Sequence, residues 1–481
     1  MRNKALLILL IGFSSPLLSQ EQPQQESQQQ TQQYVQPSIG LTQLLNSARQ
    51  FYPKVLAAQQ QQAHAKAQLI GAEGGYDWQL DQALKARTSG YYDGVYLENK
   101  LTRPLPMMNA KVFAQYRISD GDFPIYEQDW VTQDGGEASI GLSLSLLQGR
   151  KNDERRFQLE DARLELALTG YEQLKVENRV LIEASTAYMS WLLAARQQEV
   201  YRNLLQMAEL QQKVLRRRVT LGDSAEVDLL DQQQELIKRR SQLLKADNAL
   251  LKAATQLSLY WRDDNGRPIR PDNTQVPTQL PNLPELQHRE KSVWLAEVIE
   301  KHPQLQAMQV KRQQLENKRH LHSEELLPKL DFSVKLAQDL GNEVENLNEL
   351  ESVVGLQLSV PLQRRQGKAK VSKLEAEIRE LDYRFNGLAE QLRSELENGL
   401  LELHNSIAQA ELAQQQVTVT DRLRQGEYQR FEAGASDMFR LNIREQMAAR
   451  AQIDAVSASL KQSLMVLELL GLSYQIPQYI H

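Results

Sequence analysis

The 481-residue sequence predicts a mainly α-helical protein with β-strands, built as a duplicated unit of one strand pair and one long helical hairpin. The first observation is a seven-residue repeat of adjacent apolar pairs between Glu226 and Leu259, which predicts a coiled-coil helix. The second is a signal for a helix end and a new helix start, which occurs at both Gly222 and Gly434. The third is alternation of apolar and polar residues ahead of each hairpin, which predicts strands. The apolar pairs are Leu229-Leu230, Leu236-Ile237, Leu243-Leu244 and Leu250-Leu251.

The N-terminus has the pattern of a cleavable secretory signal. Arg2 and Lys4 precede a short apolar run, and small residues follow it up to the expected cleavage point. A short membrane anchor is the alternative, but the run is too short to cross a bilayer. We therefore predict a signal peptide at 1–19. The Gln-rich segment at 20–37 offers almost nothing to bury, which predicts disorder.

The composition excludes several classes of function. With a net charge of −5, the chain has no general basic field that would attract nucleic acid. Cysteine is absent, which excludes disulfides, thiol nucleophiles and a lipid-modified N-terminal cysteine. His320 and His322 are two positions apart on a predicted helix, so their rings diverge and we expect no metal site. The sequence also lacks a phosphate-binding loop and a nucleophile–base pattern, so we predict no cofactor and no enzyme.

The first repeat begins with a helix that Pro53 should kink or restart. Its two strands flank a long aromatic-rich insertion, which contains a further alternating run that begins at Val112. A helical hairpin with its turn at Gly222 follows the second strand. The predicted boundaries are 38–260 for the repeat, 78–147 for the strand pair, 91–136 for the insertion and 153–259 for the helical hairpin.

A proline-rich linker at 261–289 separates the first repeat from the second. The second repeat covers 290–472, with a strand pair at 329–362 and a helical hairpin at 366–471 whose turn is at Gly434, and a tail follows at 473–481. Matching residues recur in the same order in both halves, which indicates duplication. The matches are Pro53 with Pro303, Leu80 with Leu330, Asp81 with Asp331, Lys85 with Lys335, Glu137 with Glu351, Gly141 with Gly355, Leu142 with Leu356, Leu144 with Leu358, Gly222 with Gly434 and Ser224 with Ser436.

The predicted strands have one apolar face and one polar face. About ten residues of tilted strand cross a bilayer, and a spanning sheet has to close because lipid cannot satisfy an open edge. A soluble sandwich with one wet face is the alternative, but the signal peptide and the lack of any later stretch of about 20 apolar residues favour the membrane. Four strands are too few for a barrel, so several chains would contribute. The predicted lipid-facing residues are Ile140, Leu142, Leu144, Leu146, Val354, Leu356, Leu358 and Val360.

The predicted helices are long enough to form a conduit. The helix from Asp153 to Val219 would span about 100 Å at the usual rise per residue. A helix of that length buries its apolar seam only against equally long neighbours. Four such helices per chain, repeated around an axis, would form a hollow tube that continues the barrel.

The joint order of these features resembles the TolC-like outer membrane efflux proteins, also called outer membrane factors. The resemblance rests on the duplication, on the strands at Gly141–Ser145 and Gly355–Leu362, and on the turns at Gly222 and Gly434. The resemblance leaves out the Gln-rich start and the insertion. It implies a homotrimeric 12-stranded β-barrel in the cell outer membrane, continued by an α-helical tunnel in the periplasm. It also implies a passive exit duct of a tripartite efflux or type I secretion system, with a periplasmic membrane-fusion adaptor, an inner-membrane transporter and outer membrane lipid as partners.

In such proteins, carboxylates just past the hairpin turns surround the closed constriction. Asp228 falls at the matching position and Asp231 follows one turn later, whereas Arg440 stands where the second repeat often has an acidic residue. One expectation is a mixed lock between neighbouring hairpins, formed by Asp228, Asp231, Arg440 and Arg444. The other is that Asp228 stabilises the dipole of the helix that it begins, and both roles are compatible.

The hairpin tips are the expected contacts for the adaptor, because the family docks its partner there. The two glycines should adopt positive φ, and Ser224 and Ser436 should cap the following helices. The same residue types are also explained by a favourable turn alone. The expected contact residues are Thr220, Leu221, Gly222, Asp223, Ser224, Ala433, Gly434, Ala435, Ser436 and Asp437.

Two functions and three places for the insertion remain open at this point. The alternative function is a soluble periplasmic coiled-coil adaptor or scaffold, which also presents helical hairpins. The aromatic residues of the insertion could line the membrane interface, cap the barrel mouth or add strands. The cargo is not specified by the sequence. These aromatic residues include Tyr91, Tyr92, Tyr96, Tyr116, Tyr126 and Trp130.

Overall fold

A computed structural model describes residues 38–124, 130–341 and 349–479 of the chain. The predicted signal peptide, the Gln-rich segment, Tyr126 of the insertion and the last two residues of the tail lie outside the described residues. The described elements are α1 (Leu41–Phe51), α2 (Pro53–Glu73), β1 (Gln79–Arg87), β2 (Gly94–Pro104), β3 (Lys111–Gly121), β4 (Glu137–Ser145), α3 (Glu154–Thr220), α4 (Glu226–Leu257), α5 (Lys291–Lys301), α6 (Pro303–Glu324), β5 (Lys329–Asp339), β6 (Glu351–Ser359), α7 (Arg365–Glu432) and α8 (Met438–Leu472).

Two prolines separate short helices at matching places in the two repeats. Pro53 is the first residue of α2 and Pro303 the first residue of α6, and the residue before each has an extended backbone. Proline is tolerated at a first helical position because its missing N–H would have no intrahelical partner there. Pro53 therefore restarts the helix, which is one of the two outcomes that the sequence predicts.

Helices α3 and α7 have 67 and 68 residues, so each is about 100 Å long. Helix α3 packs against α2, α4, α6 and α8, and α7 packs against α6 and α8. The two helical hairpins of the chain therefore contact each other through α3 and α8. Asp153 caps the start of α3, because its carboxylate accepts the backbone N–H groups of Arg155 and Arg156 at 3.1 and 3.2 Å.

The seven-residue repeat on α4 is divided between a buried and an exposed stripe. Leu236 and Leu250 are buried against the rest of the chain. The second member of each apolar pair is exposed instead. The exposed fractions are 59% for Leu230, 67% for Ile237, 63% for Leu244 and 50% for Leu251.

The six strands form one antiparallel sheet in the order β1-β2-β3-β4-β5-β6. The prediction that the two outer strands of the first repeat form a hairpin is wrong, because β2 and β3 from the insertion lie between β1 and β4. The insertion is long enough for two 11-residue strands, and these satisfy its backbone hydrogen bonds inside the sheet. Of the three expected places for the insertion, adding strands is the one observed. The count of four strands per chain, on which the 12-stranded expectation depends, is therefore also wrong.

The register of the sheet places most apolar side chains on one face and most polar side chains on the other. The predicted lipid-facing residues within β4 and β6 lie on the apolar face, and Leu146 and Val360 directly follow those strands. One row across all six strands contains Leu80, Leu101, Ala114, Ile140, Leu336 and Ser352. The adjacent row, on the opposite face, contains Asp81, Lys100, Gln115, Ser139, Ala337 and Glu351.

The buried hydrophobic cluster lies where the middle of α3 meets α1, α5 and the C-terminal part of α8. Trp191 and Trp294 are completely buried within it. The prediction that no later stretch is apolar enough for a membrane helix is wrong by length and composition, because an 18-residue window of α8 has a mean hydropathy of 1.3. Leu460, Leu467 and Leu470 of this helix are buried in the cluster, so helix packing accounts for their apolar character.

Candidate functional site at the hairpin tips

The first hairpin turns at Gly222, whose φ is 81° as predicted. Its N–H donates to the carbonyl of Val219 at 3.1 Å, and the N–H of Asp223 donates to the carbonyl of Arg218 at 2.9 Å. A left-handed residue after a helix allows these two bonds to satisfy the last carbonyls of α3. A Cβ atom at Gly222 would meet nothing within 4 Å, so the backbone angle, and not the available space, favours glycine.

The second hairpin repeats this geometry at Gly434, whose φ is 71°. Its N–H donates to the carbonyl of Phe431 at 3.1 Å, and the N–H of Ala435 donates to the carbonyl of Arg430 at 2.8 Å. The two turns therefore share the same pair of hydrogen bonds, which is the relation expected of a duplicated hairpin. Thr220, Leu221, Gly222, Asp223, Ala433, Gly434, Ala435 and Asp437 are exposed, and Ser224 and Ser436 are half-buried.

The prediction that Ser224 and Ser436 cap the following helices is wrong. Helix α4 begins after Ala225, whose N–H donates to the carboxylate of Asp228 at 3.2 Å. Helix α8 begins after Asp437, whose carboxylate accepts the N–H of Arg440 at 2.8 Å. Each serine lies one position before the capping position, and the hydroxyl of Ser436 donates to Glu427 instead. Asp228 lies in the first turn of α4, where a negative charge stabilises the helix dipole.

A groove of about 1070 Å³ lies between the two tips. Asp228 and Asp231 line it from α4, and Ser436, Asp437 and the exposed Phe439 line it from the second hairpin. Its wall is mixed in charge, because basic side chains from α3 and α4 also face it. These basic residues are Arg218 and Lys238.

A cation–π contact joins the ends of the two long helices. The guanidinium carbon of Arg218, in the last turn of α3, lies 5.0 Å from the centre of the Phe431 ring, in the last turn of α7. Such contacts contribute about 0.5–1 kcal/mol at exposed sites. The two tips of one chain therefore contact each other directly.

Of the four predicted lock residues, the two acidic ones line the groove and the two basic ones do not. Arg440 pairs with Asp437 at 3.6 Å, and Arg444 approaches the carboxylate of Glu427 at 3.9 Å. Among the ion pairs of the described residues, none joins either arginine to Asp228 or Asp231. A lock between neighbouring hairpins therefore stays a prediction for contacts between chains.

A buried polar network that the sequence analysis missed connects α4 to α8. The side chain of Arg239 is completely buried, and its Nη2 lies 2.9 Å from both Glu445 Oε2 and Asn442 Oδ1 on α8. Its Nε donates to Glu235 at 3.0 Å, and its Nη1 donates to the carbonyl of Leu204 on α3 at 2.9 Å. A buried guanidinium is stable only when its donors are satisfied in this way.

Amide side chains extend this network around the arginine. Asn442 donates to Gln232 at 3.0 Å, and Gln211 on α3 donates to Glu445 at 2.6 Å. Gln446 on α8 also donates to Glu235 on α4. Gln232 and Arg239 lie at the three- and four-residue spacing of the buried seam around Leu236. Polar residues at seam positions are thus the signal that could have located the network.

Shifted pKa values and metal-binding clusters contribute little to the description of the tips. A hydrogen bond to the carboxylate of Glu432 raises the pKa of Tyr428 above its ordinary value, so this tyrosine stays neutral near pH 7. Within residues 38–124, 130–341 and 349–479, no three His, Cys, Asp or Glu side chains are grouped so as to hold a metal ion.

A family model described as outer membrane efflux protein matches residues 104–261 and 294–471, which together exceed half of the chain. The chain belongs to the outer membrane efflux protein family. The match includes β3 and β4, both long helical hairpins and both tips. The residues before 104, which include α1, α2 and β1, are not matched.

Solved structures of outer membrane channels share this fold. CmeC of Campylobacter jejuni is 13% identical, with a TM-score of 0.63 over 90% of this chain and 85% of its own. MtrE of Neisseria gonorrhoeae, in its open state, is 12% identical, with a TM-score of 0.67 over 90% of this chain and 88% of its own. VceC of Vibrio cholerae is 15% identical, with a TM-score of 0.63 over 90% of this chain and 96% of its own. No curated protein sequence matches the chain.

Proposed function

We propose that this protein is a passive exit duct of the outer membrane, formed by three copies of the chain and extending into the periplasm. It would belong to a tripartite efflux or type I secretion system, with closure at the hairpin tips. The observation that best supports the proposal concerns surfaces that a second copy of the chain could cover. Both the helical part and the strand part of one chain expose such surfaces.

The helical surface consists of two exposed apolar stripes. One is the α4 stripe, which contains Leu230, Ile237, Leu244 and Leu251. The other lies on α7 at spacings of 11, 7 and 4 residues, which keep side chains on one helical face. Apolar stripes on long helices are stable when another long helix covers them, and a second copy of the chain offers one. The α7 stripe contains Leu401, Leu412, Val419 and Leu423, which are 64%, 64%, 56% and 46% exposed.

The strand surface consists of two free edges and one apolar face. Strands β1 and β6 are the edges of the described sheet, and each has a strand neighbour on one side only. Free edges in a membrane have to be closed, and pairing of β6 with β1 of the next copy would close the ring. The apolar face is exposed at Leu80, Ile140 and Leu356, which suits contact with lipid.

The partners follow from the position of the tips and from the family. The exposed residues at both turns offer a contact surface for a periplasmic membrane-fusion adaptor, through which an inner-membrane transporter supplies the cargo and the energy. The mixed acidic and basic residues near the groove would hold adjacent chains together in the closed state. No catalytic step is required of a passive duct.

The proposal is tested by extracting the protein from membranes in detergent and determining its mass by light scattering and its shape by negative-stain imaging. We expect a trimer that carries a rod of more than about 100 Å, because α3 and α7 have that length. A water-soluble monomer or dimer would overturn the duct and favour a soluble adaptor or scaffold.

A further inference from the structure

We infer that each chain contributes all six strands to the barrel wall, so that a trimer closes 18 strands and not 12. The inserted hairpin β2–β3 is then part of the wall, and the surfaces that join the copies are the β1 and β6 edges. The inference rests on the proposed function, because it needs a ring of three copies.

The inserted hairpin spans the full height of the sheet. Its strands have 11 residues each, against nine in β1 and β4, and 9–11 residues are enough to cross a bilayer when tilted. Its turn returns to the helical end of the sheet, where the N–H of Ser145 donates to the carbonyl of Met108 at 2.8 Å. Arg155, in the first turn of α3, donates to the side chain of Asn109 at 3.3 Å. Both ends of the hairpin therefore coincide with the ends of the neighbouring strands.

The faces of the hairpin are in phase with the rest of the sheet. Leu101 and Ala114 continue the apolar row between Leu80 and Ile140, and Lys100 and Gln115 continue the polar row behind it. A hairpin that projects into water would not need this alternation, because both of its faces would be wet. Membrane strands do need it, because one face meets lipid and the other meets the lumen.

Side-chain packing fixes the hairpin to the duplicated strands. The ring of Phe113 on β3 covers Gly141 on β4, and a Cβ atom at this glycine would lie 2.3 Å from the ring. Glu137 on β4 pairs with Arg117 on β3 and with Lys335 on β5, each at 2.7 Å. The ion pairs connect the insertion to the second repeat across the polar face, so β3 is joined to the sheet by more than backbone bonds.

The dimensions of the helical part also favour six strands. Four of the described helices connect directly to the sheet, namely α2, α3, α6 and α7. At a spacing of about 9 Å they would cover an arc of about 36 Å. Six strands, spaced about 4.8 Å apart and tilted by about 40°, cover about 38 Å, whereas four cover about 25 Å. A wall of six strands per chain therefore continues the tunnel without narrowing it.

The duplication predicts how β6 pairs with β1 of the next copy. Within the chain, Leu142 of β4 pairs with Val334 of β5. Transfer of this register to the matching residues pairs Leu356 of β6 with Leu84 of the next copy. Both side chains then lie on the apolar face, and Gln357 pairs with Ala83 on the polar face. The free edges are thus complementary in register and in polarity.

The absence of cysteine makes this arrangement testable with engineered pairs and a short thiol cross-linker, applied to the intact protein in outer membranes. Lys111→Cys with Ser143→Cys tests the six-stranded wall, because these residues are partners on β3 and β4. Asp81→Cys with Ser143→Cys is the matched control, because they would be partners only if β1 paired with β4 as β5 pairs with β6. Ala83→Cys with Gln357→Cys tests ring closure between copies.

We expect the first pair to link within a chain, the second to stay unlinked, and the third to link chains up to the trimer. Linkage of the second pair and not the first would establish a four-stranded wall and overturn this inference, while the exit duct would stand. Failure of the third pair in a protein that is also not trimeric in detergent would overturn the proposed function itself.

Imaging supplies a second readout that does not depend on any substitution. End-on views of the detergent-extracted particle should show a barrel about 36 Å across at the backbone, as 18 tilted strands require, and a barrel of about 24 Å would overturn the inference. If Lys111→Cys impairs assembly, Gln115→Cys with Ser139→Cys tests the same β3–β4 neighbourhood.

Discussion

The guanidinium of Arg239 lies 2.9 Å from the carboxylate of Glu445, and both side chains are almost completely excluded from solvent. The pair connects α4 of the first helical hairpin to α8 of the second. A buried ion pair of this kind adds little net stability, but the loss of one partner leaves an uncompensated buried charge. The contact therefore fixes the relative position of the two hairpins near their tips.

Replacement of Arg239 by alanine should lower the free energy of unfolding by about 3–5 kcal/mol, because Glu445 would remain buried without its partner. Chemical denaturation of the detergent-extracted protein measures the change. Arg240→Ala is the matched control, since this neighbouring side chain is 61% exposed and pairs with Glu209 on the surface, where the loss should stay below about 1 kcal/mol. Equal effects at the two arginines would contradict the role of the buried network.

Substitution of Gly222 by alanine should destabilise the protein by about 1 kcal/mol, because a side chain is unfavourable at a φ of 81°. Gly387→Ala, inside α7, is the control of opposite sign. A Cβ atom there meets nothing within 4 Å, and alanine is favoured over glycine in a helix by about 0.5–1 kcal/mol. Thermal unfolding of the two variants in the same detergent compares them. A neutral result at Gly222 would show that the positive φ is not maintained.

Acid should destabilise the protein through His302, which lies between α5 and α6 with its ring 5.0 Å from that of Tyr474. Burial lowers the pKa of His302 from 6.5 to about 4. The unfolded chain therefore binds a proton at a higher pH than the folded chain, and stability should fall as the pH decreases from about 6.5 to about 4. The contribution of this group is at most about 3 kcal/mol per chain.

His302→Phe should remove that part of the acid sensitivity, measured as the difference in melting temperature between pH 7 and pH 4.5. The same change at His64, an exposed residue of α2, is the matched control. An identical pH dependence in the original protein and in His302→Phe would rule out this histidine as the source.

A charge in the exposed α4 stripe should weaken the proposed trimer. Leu244 is 63% exposed in a single chain, and a neighbouring copy would bury it, so Leu244→Glu should shift the detergent-extracted particle toward monomers. Lys245→Glu introduces the same side chain one position later, outside the stripe, and should leave the mass unchanged. A trimer that tolerates Leu244→Glu would show that α4 does not face another copy.

Deletion of Leu97–Trp130 should leave formation of the proposed trimer intact while narrowing the proposed barrel. The deletion removes most of β2 and all of β3, and β1 and β4 can then pair directly, as their counterparts β5 and β6 do. End-on images of the variant and of the full chain would reveal the difference in barrel width. Loss of the trimer on deletion would show that the inserted hairpin is needed for assembly.

Local patterns in the sequence predict the features of the fold that depend on neighbouring residues. The positive φ at Gly222 and the restart of the helix at Pro53 follow from the geometry of these residue types. The predicted serine caps are wrong by one position, because Asp437 takes the capping position of α8 and the carboxylate of Asp228 accepts the N–H of Ala225 at the start of α4. Helix ends of this kind depend on a choice between nearby acceptors, and the sequence does not determine that choice.

Features that depend on distant partners were not predictable in this way. Leu236 and Ile237 are equally apolar, yet only Leu236 is buried, because the packing of α3 decides which member of the pair is covered. The insertion has the alternation of strands, but its place between β1 and β4 depends on pairing across the sheet. Arg239 resembles a solvated residue in a charged helix, and its burial follows from Glu445, more than 200 residues later.

The contact between the two tips of one chain has a mechanical consequence. The network around Arg239 and the cation–π contact of Arg218 with Phe431 join the two hairpin ends of a chain, so the ends should move as one rigid unit. A ring of three chains would then have three moving parts instead of six. Relative movement would occur only at the three interfaces between chains. If a ligand opened the ring by binding at each of these interfaces, the dependence of opening on ligand concentration would have a Hill coefficient of no more than about three.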